Sequence, residues 1–155
     1  MAKNKREAEK PVLWILFALY ITFLLYVLFF SDLFGRTVQT DEYRYNLRLF
    51  SEIANYYRAF SSGRNSYLFW LNVIGNVVVF IPFGCLTPAL MKNWHRLLLT
   101  IELGFLFSLA VETLQLFTRV GVFDVDDIFL NTLGVVAGCL FWLIYVKLKR
   151  RGTDR

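Results

Sequence analysis

Four long apolar blocks constrain the fold of this chain more than any other feature of its sequence. They cover about residues 12–30, 68–90, 97–117 and 128–146. Each block is long enough for a helix that crosses the roughly 30 Å hydrocarbon core of a bilayer, and a helix satisfies its backbone amides within lipid. The short alternating segments of a transmembrane barrel are absent. We therefore predict an all-α, polytopic membrane protein with four transmembrane helices.

Composition supports the same class. Hydrophobic residues make up 57% of the 155 residues, whereas about 45–50% is usual in soluble domains. This content excludes a disordered or collagen-like chain. The first block follows a basic segment, as a signal peptide would, but it exceeds the roughly 7–15 apolar residues of a signal sequence. We interpret it as a retained anchor.

The positions of the cations predict the topology. Of the 17 Lys and Arg residues, 11 fall before the first block, between the second and third, and after the fourth. Short basic segments remain on the cytoplasmic side of a membrane. We therefore expect a basic cytoplasmic N-terminus over residues 1–11, a membrane domain over 12–146 and a basic cytoplasmic tail over 147–155. This distribution explains the net charge of +5 without a nucleic-acid partner.

The first connection between blocks contains an amphipathic pattern. From Glu42 to Phe60, apolar residues recur at helical spacing among arginines. Such a pattern is typical of a helix that lies in the headgroup plane of a membrane. We predict this interfacial helix in the first outer loop, with Arg44 and Arg48 near lipid phosphates.

Polar residues in and directly beside the last three blocks share helical faces and one predicted membrane depth. They form what we call the polar cluster: Asn72, Asn76, Glu112, Gln115, Arg119, Asp127 and Asn131. Amides on facing helices often serve only as hydrogen-bonding contacts that hold the helices together. Glu112 differs, because an ionised side chain at the bilayer centre costs about 3 kcal/mol and needs a partner or a function. We predict that the cluster lines one outward-opening pocket, with Arg119 as the charge partner of Glu112.

Motifs of familiar enzymes are missing from the sequence. It contains no GxSxG, HExxH, P-loop or GxGxxG pattern. Cys85 and Cys139 lie inside predicted spans, where a thiol is most often a packing residue. We accordingly predict no cofactor and no metal site.

The residues also carry a resemblance to a known family. Asn46-Leu47-Arg48-Leu49-Phe50, the run from Asn72 to Gly84, Glu112-Thr113-Leu114-Gln115 with Arg119, and Asp124-Val125-Asp126-Asp127 with Asn131 to Gly134 occur in this order. In this arrangement the chain resembles the VanZ-like family of small bacterial membrane proteins. The resemblance covers roughly residues 40–140. One departure is Leu49, which stands where the family usually has proline.

The resemblance implies a multi-pass protein of the bacterial cell membrane, in some members associated with resistance to teicoplanin-type lipoglycopeptides. It supplies no catalytic residue. Two functions therefore remain open. The protein either binds a lipid headgroup, a cell-wall precursor or a lipoglycopeptide through the polar cluster and Arg44, Asn46 and Arg48, or it is a small membrane enzyme. The enzyme would act on a lipid-linked phosphate through four carboxylates, Glu112, Asp124, Asp126 and Asp127. We favour binding, because the sequence shows no nucleophile–base pair.

Overall fold

The protein is a bundle of four long apolar helices with a short helix in the first connection. The computed structural model describes residues 2–30, 42–64, 66–91 and 95–153. Within them, the helices are α1 (Ala2–Phe30), α2 (Ser51–Ser61), α3 (Ser66–Leu90), α4 (Arg96–Thr118) and α5 (Val125–Thr153). The four long helices are long and apolar enough to cross a membrane. The predicted all-α fold class with four spans is confirmed.

Two very short strands close one end of the bundle. β1 (Tyr45–Asn46) pairs in parallel with β2 (Phe123–Asp124), and Asn46 lies opposite Asp124. We call the end that holds α2 and these strands the polar end. The opposite end, where α3 and α5 finish and α4 begins, is the basic end, since the last turns of α5 carry exposed lysines and arginines.

Helices α3 and α5 form the most extensive helix pair, and glycine makes their close approach possible. A Cβ atom on Gly84 would lie 2.0 Å from the Val135 carbonyl oxygen, and one on Gly134 would lie 2.1 Å from that of Val77. A Cβ on Gly138 would meet the Ile81 carbonyl oxygen at 2.1 Å. Small residues have this role between membrane helices, because they let backbones pack against each other. The pairing fixes the register of the polar residues on α3 and α5.

Helix α1 packs against this pair and completes the apolar core. The Tyr20 hydroxyl donates a hydrogen bond to the Val79 carbonyl at 2.8 Å, and the Phe17 ring lies against that of Phe83. The buried core cluster comprises Leu24, Leu28, Phe80, Phe83, Val111, Val135 and Cys139. Cys139 is thus a packing residue within the described core, and the described cysteines are free thiols.

The prediction of one helix from Glu42 to Phe60 is wrong for its first half. Residues 42–50 are not helical, and α2 begins at Ser51. Two tertiary features override the helical pattern: β1 pairs with β2, and Phe50 adopts a left-handed conformation that no α-helix continues. The second span also contains a five-residue π-helical segment, Trp70–Ile74, that periodicity did not reveal.

Candidate functional site

The polar cluster forms a hydrogen-bonded network at the polar end. The Asn76 side-chain amide donates to the Asp127 carboxylate at 2.6 Å, which joins α3 to α5. The Asn131 amide donates to the Ser108 hydroxyl at 2.9 Å, which joins α5 to α4. Asn76, Glu112, Gln115 and Asn131 are each at most 1% exposed. In this conformation, these four side chains are closed off from solvent, and Asn76 and Asn131 link helices to one another.

Glu112 connects the network to β2. The backbone amide of Asp124 donates to a Glu112 carboxylate oxygen at 3.0 Å, and this bond is buried. A hydrogen bond from an amide to a carboxylate is stronger than one between neutral groups. Glu112 therefore fixes the backbone of the strand that precedes α5.

Asp126 holds the first turn of α2 from a distance of more than 70 residues along the chain. One of its carboxylate oxygens accepts hydrogen bonds from the amides of Glu52 at 2.9 Å and Ile53 at 3.1 Å. The other accepts from the amide of Phe50. The first amides of a helix have no partner within the helix, and the N-cap residue Phe50 has no side chain that could accept them. Asp126, which is 1% exposed, supplies the missing cap.

Asn46 ties the same loop to β2. Its amide donates to Asp124 at 3.2 Å and to the Ser51 hydroxyl at 2.8 Å. Its carbonyl oxygen accepts from the backbone amide of Arg48 at 3.1 Å. Burial raises the pKa of the Asp124 carboxyl above its ordinary value, although hydrogen bonds from the Asp126 amide and from Asn46 act in the opposite direction.

The loop turns sharply just before α2. The Ser51 amide donates to the Arg48 carbonyl oxygen at 3.3 Å, which closes a four-residue turn. Phe50, the third residue of this turn, has φ 65° and ψ 8°, as the corresponding residue of a type II turn has. Leu49 is the second residue, at which proline is favoured in such turns. The geometry therefore explains why a proline suits the position that Leu49 occupies.

Gln115 anchors the last turn of α4 to α1. Its side-chain amide donates to the Leu28 carbonyl at 2.8 Å. Asn72, by contrast, lies in the π-helical segment and donates to the Leu68 carbonyl of its own helix at 3.0 Å. Asn72 is half-buried and therefore lies at the margin of the network.

The arginines at the polar end lie on the surface. Arg44, Arg48 and Arg119 are exposed. The Arg119 guanidinium lies over the ring of Tyr43, 4.8 Å from its centroid, in a cation–π contact. Arg119 ends α4 with a left-handed conformation, φ 58°. The structure thus shows Arg119 on Tyr43, and the pairing of Arg119 with Glu112 stays a prediction.

Charge is therefore partly segregated at the polar end. The carboxylates of Glu112, Asp124 and Asp126 are buried, and the three arginines point outward. Large apolar side chains are exposed beside those arginines, namely Tyr43, Tyr45, Leu47, Leu49 and Phe50. This combination of cations and apolar groups suits an amphiphile with an anionic headgroup.

The four carboxylates of the enzyme hypothesis serve separate partners. Asp126 accepts hydrogen bonds from amides at the start of α2, Asp127 from the Asn76 side chain, and Glu112 from the Asp124 amide. Among the described residues, no three His, Cys, Asp or Glu side chains group closely enough to hold a metal ion. Each of these carboxylates therefore holds a different part of the polar end in place.

The sequence analysis identified helices that meet at the polar end, but it missed the contacts of two individual residues. Asp126 was considered only as a possible catalytic carboxylate, and Tyr43 only as an apolar residue of the amphipathic pattern. A signal for the Asp126 contact exists in the sequence. The first turn of α2 follows Leu49-Phe50, which lacks a capping side chain, so its amides require an acceptor from elsewhere.

Comparison with known proteins decides the family. The sequence profile described as VanZ/LLP1 matches residues 17–146. The chain belongs to the VanZ/LLP1 family. This match extends from the middle of α1 to the last turns of α5, and the predicted resemblance is confirmed.

Among curated relatives, the chain is similar to Protein VanZ of Enterococcus faecium. The two are 32% identical over an aligned length of 92, and the alignment covers 54% of this chain and 52% of the relative. The chain therefore spans about half the length of the curated relative that it matches. No solved structure matches this chain.

Proposed function

We propose that this VanZ/LLP1 family member is a non-enzymatic binding protein of the bacterial cell membrane. It binds the anionic headgroup of an envelope lipid or lipid-linked cell-wall precursor, and so lowers susceptibility to teicoplanin-type lipoglycopeptides. The observation that carries the proposal is the segregated charge of the polar end. Arg44, Arg48 and Arg119 are exposed there, whereas three of the neighbouring carboxylates are buried and Glu42 is exposed. A surface on which cations outnumber the exposed acids attracts phosphate groups.

The proposal requires the polar end to face the outside of the cell. The positions of the cations favour this orientation, with both termini in the cytoplasm. The exposed basic residues at the end of α5, among them Lys147 and Arg150, would then meet the cytoplasmic leaflet, as the positive-inside rule expects. Arg44, Arg48 and Arg119 would lie at the level of the outer headgroups.

In this proposal, the buried and half-buried polar side chains of the polar end act as a support. Asp126 fixes the start of α2, and Asn46 fixes the segment that carries Arg44 and Arg48. Glu112 and Asn76 hold β2 and α5 in register with these contacts. Because the supporting side chains are already bonded to one another, the surface arginines are positioned before a ligand arrives. Such preorganisation lowers the entropic cost of binding.

A charge-neutralising variant tests the proposal. The double substitution Arg44→Gln and Arg48→Gln removes two cations from the polar end, and Arg150→Gln with Arg151→Gln removes two from the basic end. A cation near an anionic lipid surface contributes about 1 kcal/mol, so the first variant should lose affinity roughly 30-fold. The second variant should keep the parent's protection against teicoplanin, because its altered cations face the opposite leaflet.

Two readouts would be compared at equal membrane abundance. Native mass spectrometry of protein purified from nanodiscs measures the phosphatidylglycerol retained by each variant, and growth inhibition by teicoplanin measures protection in a host that expresses it. Equal retention and equal protection by the parent and by the Arg44/Arg48 variant would contradict the proposal. If the Arg44/Arg48 variant retains phosphatidylglycerol but loses the protection, the relevant ligand is a lipid-linked precursor and not phosphatidylglycerol.

A further inference from the structure

An apolar cavity of about 450 Å³ lies near the basic end, far from the polar cluster. It opens between α1, α3 and α4. Its lining consists of Trp14, Phe17, Phe83, Thr87, Leu90, Met91, Leu103, Leu106 and Phe107. The volume falls within the range of small-molecule sites in proteins, roughly 300–1,000 Å³. Eight of these nine residues are apolar, so the cavity suits a hydrocarbon chain.

The position of the cavity determines which hydrocarbon can reach it. All lining residues except Met91 belong to helices that qualify as membrane spans. Met91 directly follows the end of α3. The cavity is therefore at the depth of the acyl chains and the ester groups of one leaflet. Helix α1 is the least buried of the four spans, which leaves this side of the bundle open to lipid.

Charge at the mouth indicates the class of headgroup. Lys10 lies four residues before Trp14 and seven before Phe17, so it shares their face of α1, one turn nearer the basic end. A lysine at the end of a span extends toward the interface and meets phosphate there. Within the cavity, the buried Thr87 hydroxyl lacks a hydrogen-bond partner among the described residues. A lipid ester carbonyl could supply the acceptor that this hydroxyl lacks.

We infer that this cavity is a binding site for one acyl chain of an anionic phospholipid whose phosphate meets Lys10. The site is independent of the surface arginines of the polar end, since it lies at the opposite end of the bundle. Together with the proposed function, this means that the protein binds a lipid headgroup at the polar end and a lipid acyl chain at the basic end, in different leaflets.

Photocrosslinking tests this inference on the full chain. The protein is reconstituted in vesicles of phosphatidylethanolamine with phosphatidylglycerol that carries a diazirine in one acyl chain, and crosslinked peptides are mapped by mass spectrometry. Adducts are expected to concentrate on peptides that contain Trp14, Met91 and Leu103. Adducts distributed evenly over all lipid-facing peptides would overturn the inference.

Two variants of α4 form a matched pair. Leu103→Trp places a bulky ring in the cavity, and Leu114→Trp adds the same ring at an exposed position outside it. Crosslinking at Trp14 should fall several-fold with the first and stay unchanged with the second. Leu106→Trp repeats the test if Leu103→Trp does not fold. Equal crosslinking in all of them would overturn the inference.

A further variant tests the headgroup. Lys10→Gln should abolish the preference of the cavity for the phosphatidylglycerol probe over a phosphatidylethanolamine probe with the same chain. An unchanged preference would show that Lys10 does not recognise the phosphate and would overturn this part of the inference. Because Arg44 and Arg48 remain intact in every variant, these results do not depend on the function proposed for the polar end.

Discussion

Leu49 occupies the second position of a tight turn whose third residue, Phe50, has a positive φ. Proline is favoured at that position, because its fixed φ matches the turn and reduces the freedom of the unfolded chain. We predict that Leu49→Pro raises the free energy of unfolding by about 0.4–1 kcal/mol. Thermal unfolding in detergent measures this change. Leu47→Pro, in the same loop but outside the turn, is the control and should not give this stabilisation. A Leu49→Pro protein less stable than its parent would show that the turn has another geometry.

Asp126 accepts hydrogen bonds from three backbone amides at the start of α2. We predict that Asp126→Ala destabilises α2 by roughly 1–2 kcal/mol, the effect of a lost helix cap. Hydrogen exchange should become faster at the Glu52 and Ile53 amides and stay unchanged in the middle of α5. The exposed carboxylate Glu102 provides a control through Glu102→Gln. Unchanged exchange at Glu52 and Ile53 in the Asp126→Ala protein would contradict the capping role.

Residue-scale contacts were the least predictable part of this protein. The sequence placed Asn76, Glu112 and Asp127 on facing helices correctly, since helical spacing alone determines which face a residue lies on. It could not show that Asp126 binds amides about 74 residues earlier in the chain, because such a contact depends on how the loops close. The pairing of Arg119 with Glu112, expected from charge and helical spacing, stays a prediction, and the contact of Arg119 with the Tyr43 ring was not foreseen.

At the scale of elements, α2 joins the first connecting loop to the helix bundle. Aromatic contacts connect its second half to the start of α3: the Phe60 ring stacks on Phe69, and Tyr57 meets the edge of the same ring. Aromatic side chains are enriched where a membrane meets water. Helix α2 thus has both a cap at its start and an aromatic contact near its end, which fix its orientation relative to the bundle.

We predict that α2 lies in the plane of the headgroups. Spin labels stepped from position 52 to 61, in a variant without Cys85 and Cys139, should show oxygen accessibility that oscillates with a period of 3.6 residues. Labels at exposed Tyr57 should contact lipid, and labels at Asn55 and Arg58 should contact water. Equal accessibility to a water-soluble relaxation agent at every position would rule this out.

Element boundaries show where pattern and tertiary contact differ. The third span was predicted at 97–117 and observed at Arg96–Thr118, because a long apolar run determines its own ends. Helix α5 begins three residues before its predicted start, where the Asp126 amide bonds to the Asp124 side chain. The strand pair of Tyr45 and Phe123 was unpredictable, since two residues carry no periodicity.

At the scale of the whole molecule, the two ends of the bundle differ in kind. The polar end is held by buried amides and carboxylates beneath a surface of arginines, and the basic end carries exposed cations on α5 with an apolar cavity nearby. In between, Gly84, Gly134 and Gly138 let α3 and α5 pack closely. This polarity means that the two proposed lipid contacts belong to different leaflets.

The orientation of this bundle in the cell membrane is the last prediction. Cations in short connecting segments are retained in the cytoplasm, and 11 of 17 lie before the first span, between the second and third, or after the fourth. We therefore expect alkaline phosphatase to be inactive when fused to the C-terminus and active when inserted at Gly63, in the connection between α2 and α3. Green fluorescent protein at the same two sites should give the reciprocal result. An active C-terminal phosphatase would place the polar end in the cytoplasm and would also remove the basis for headgroup binding at the outer surface.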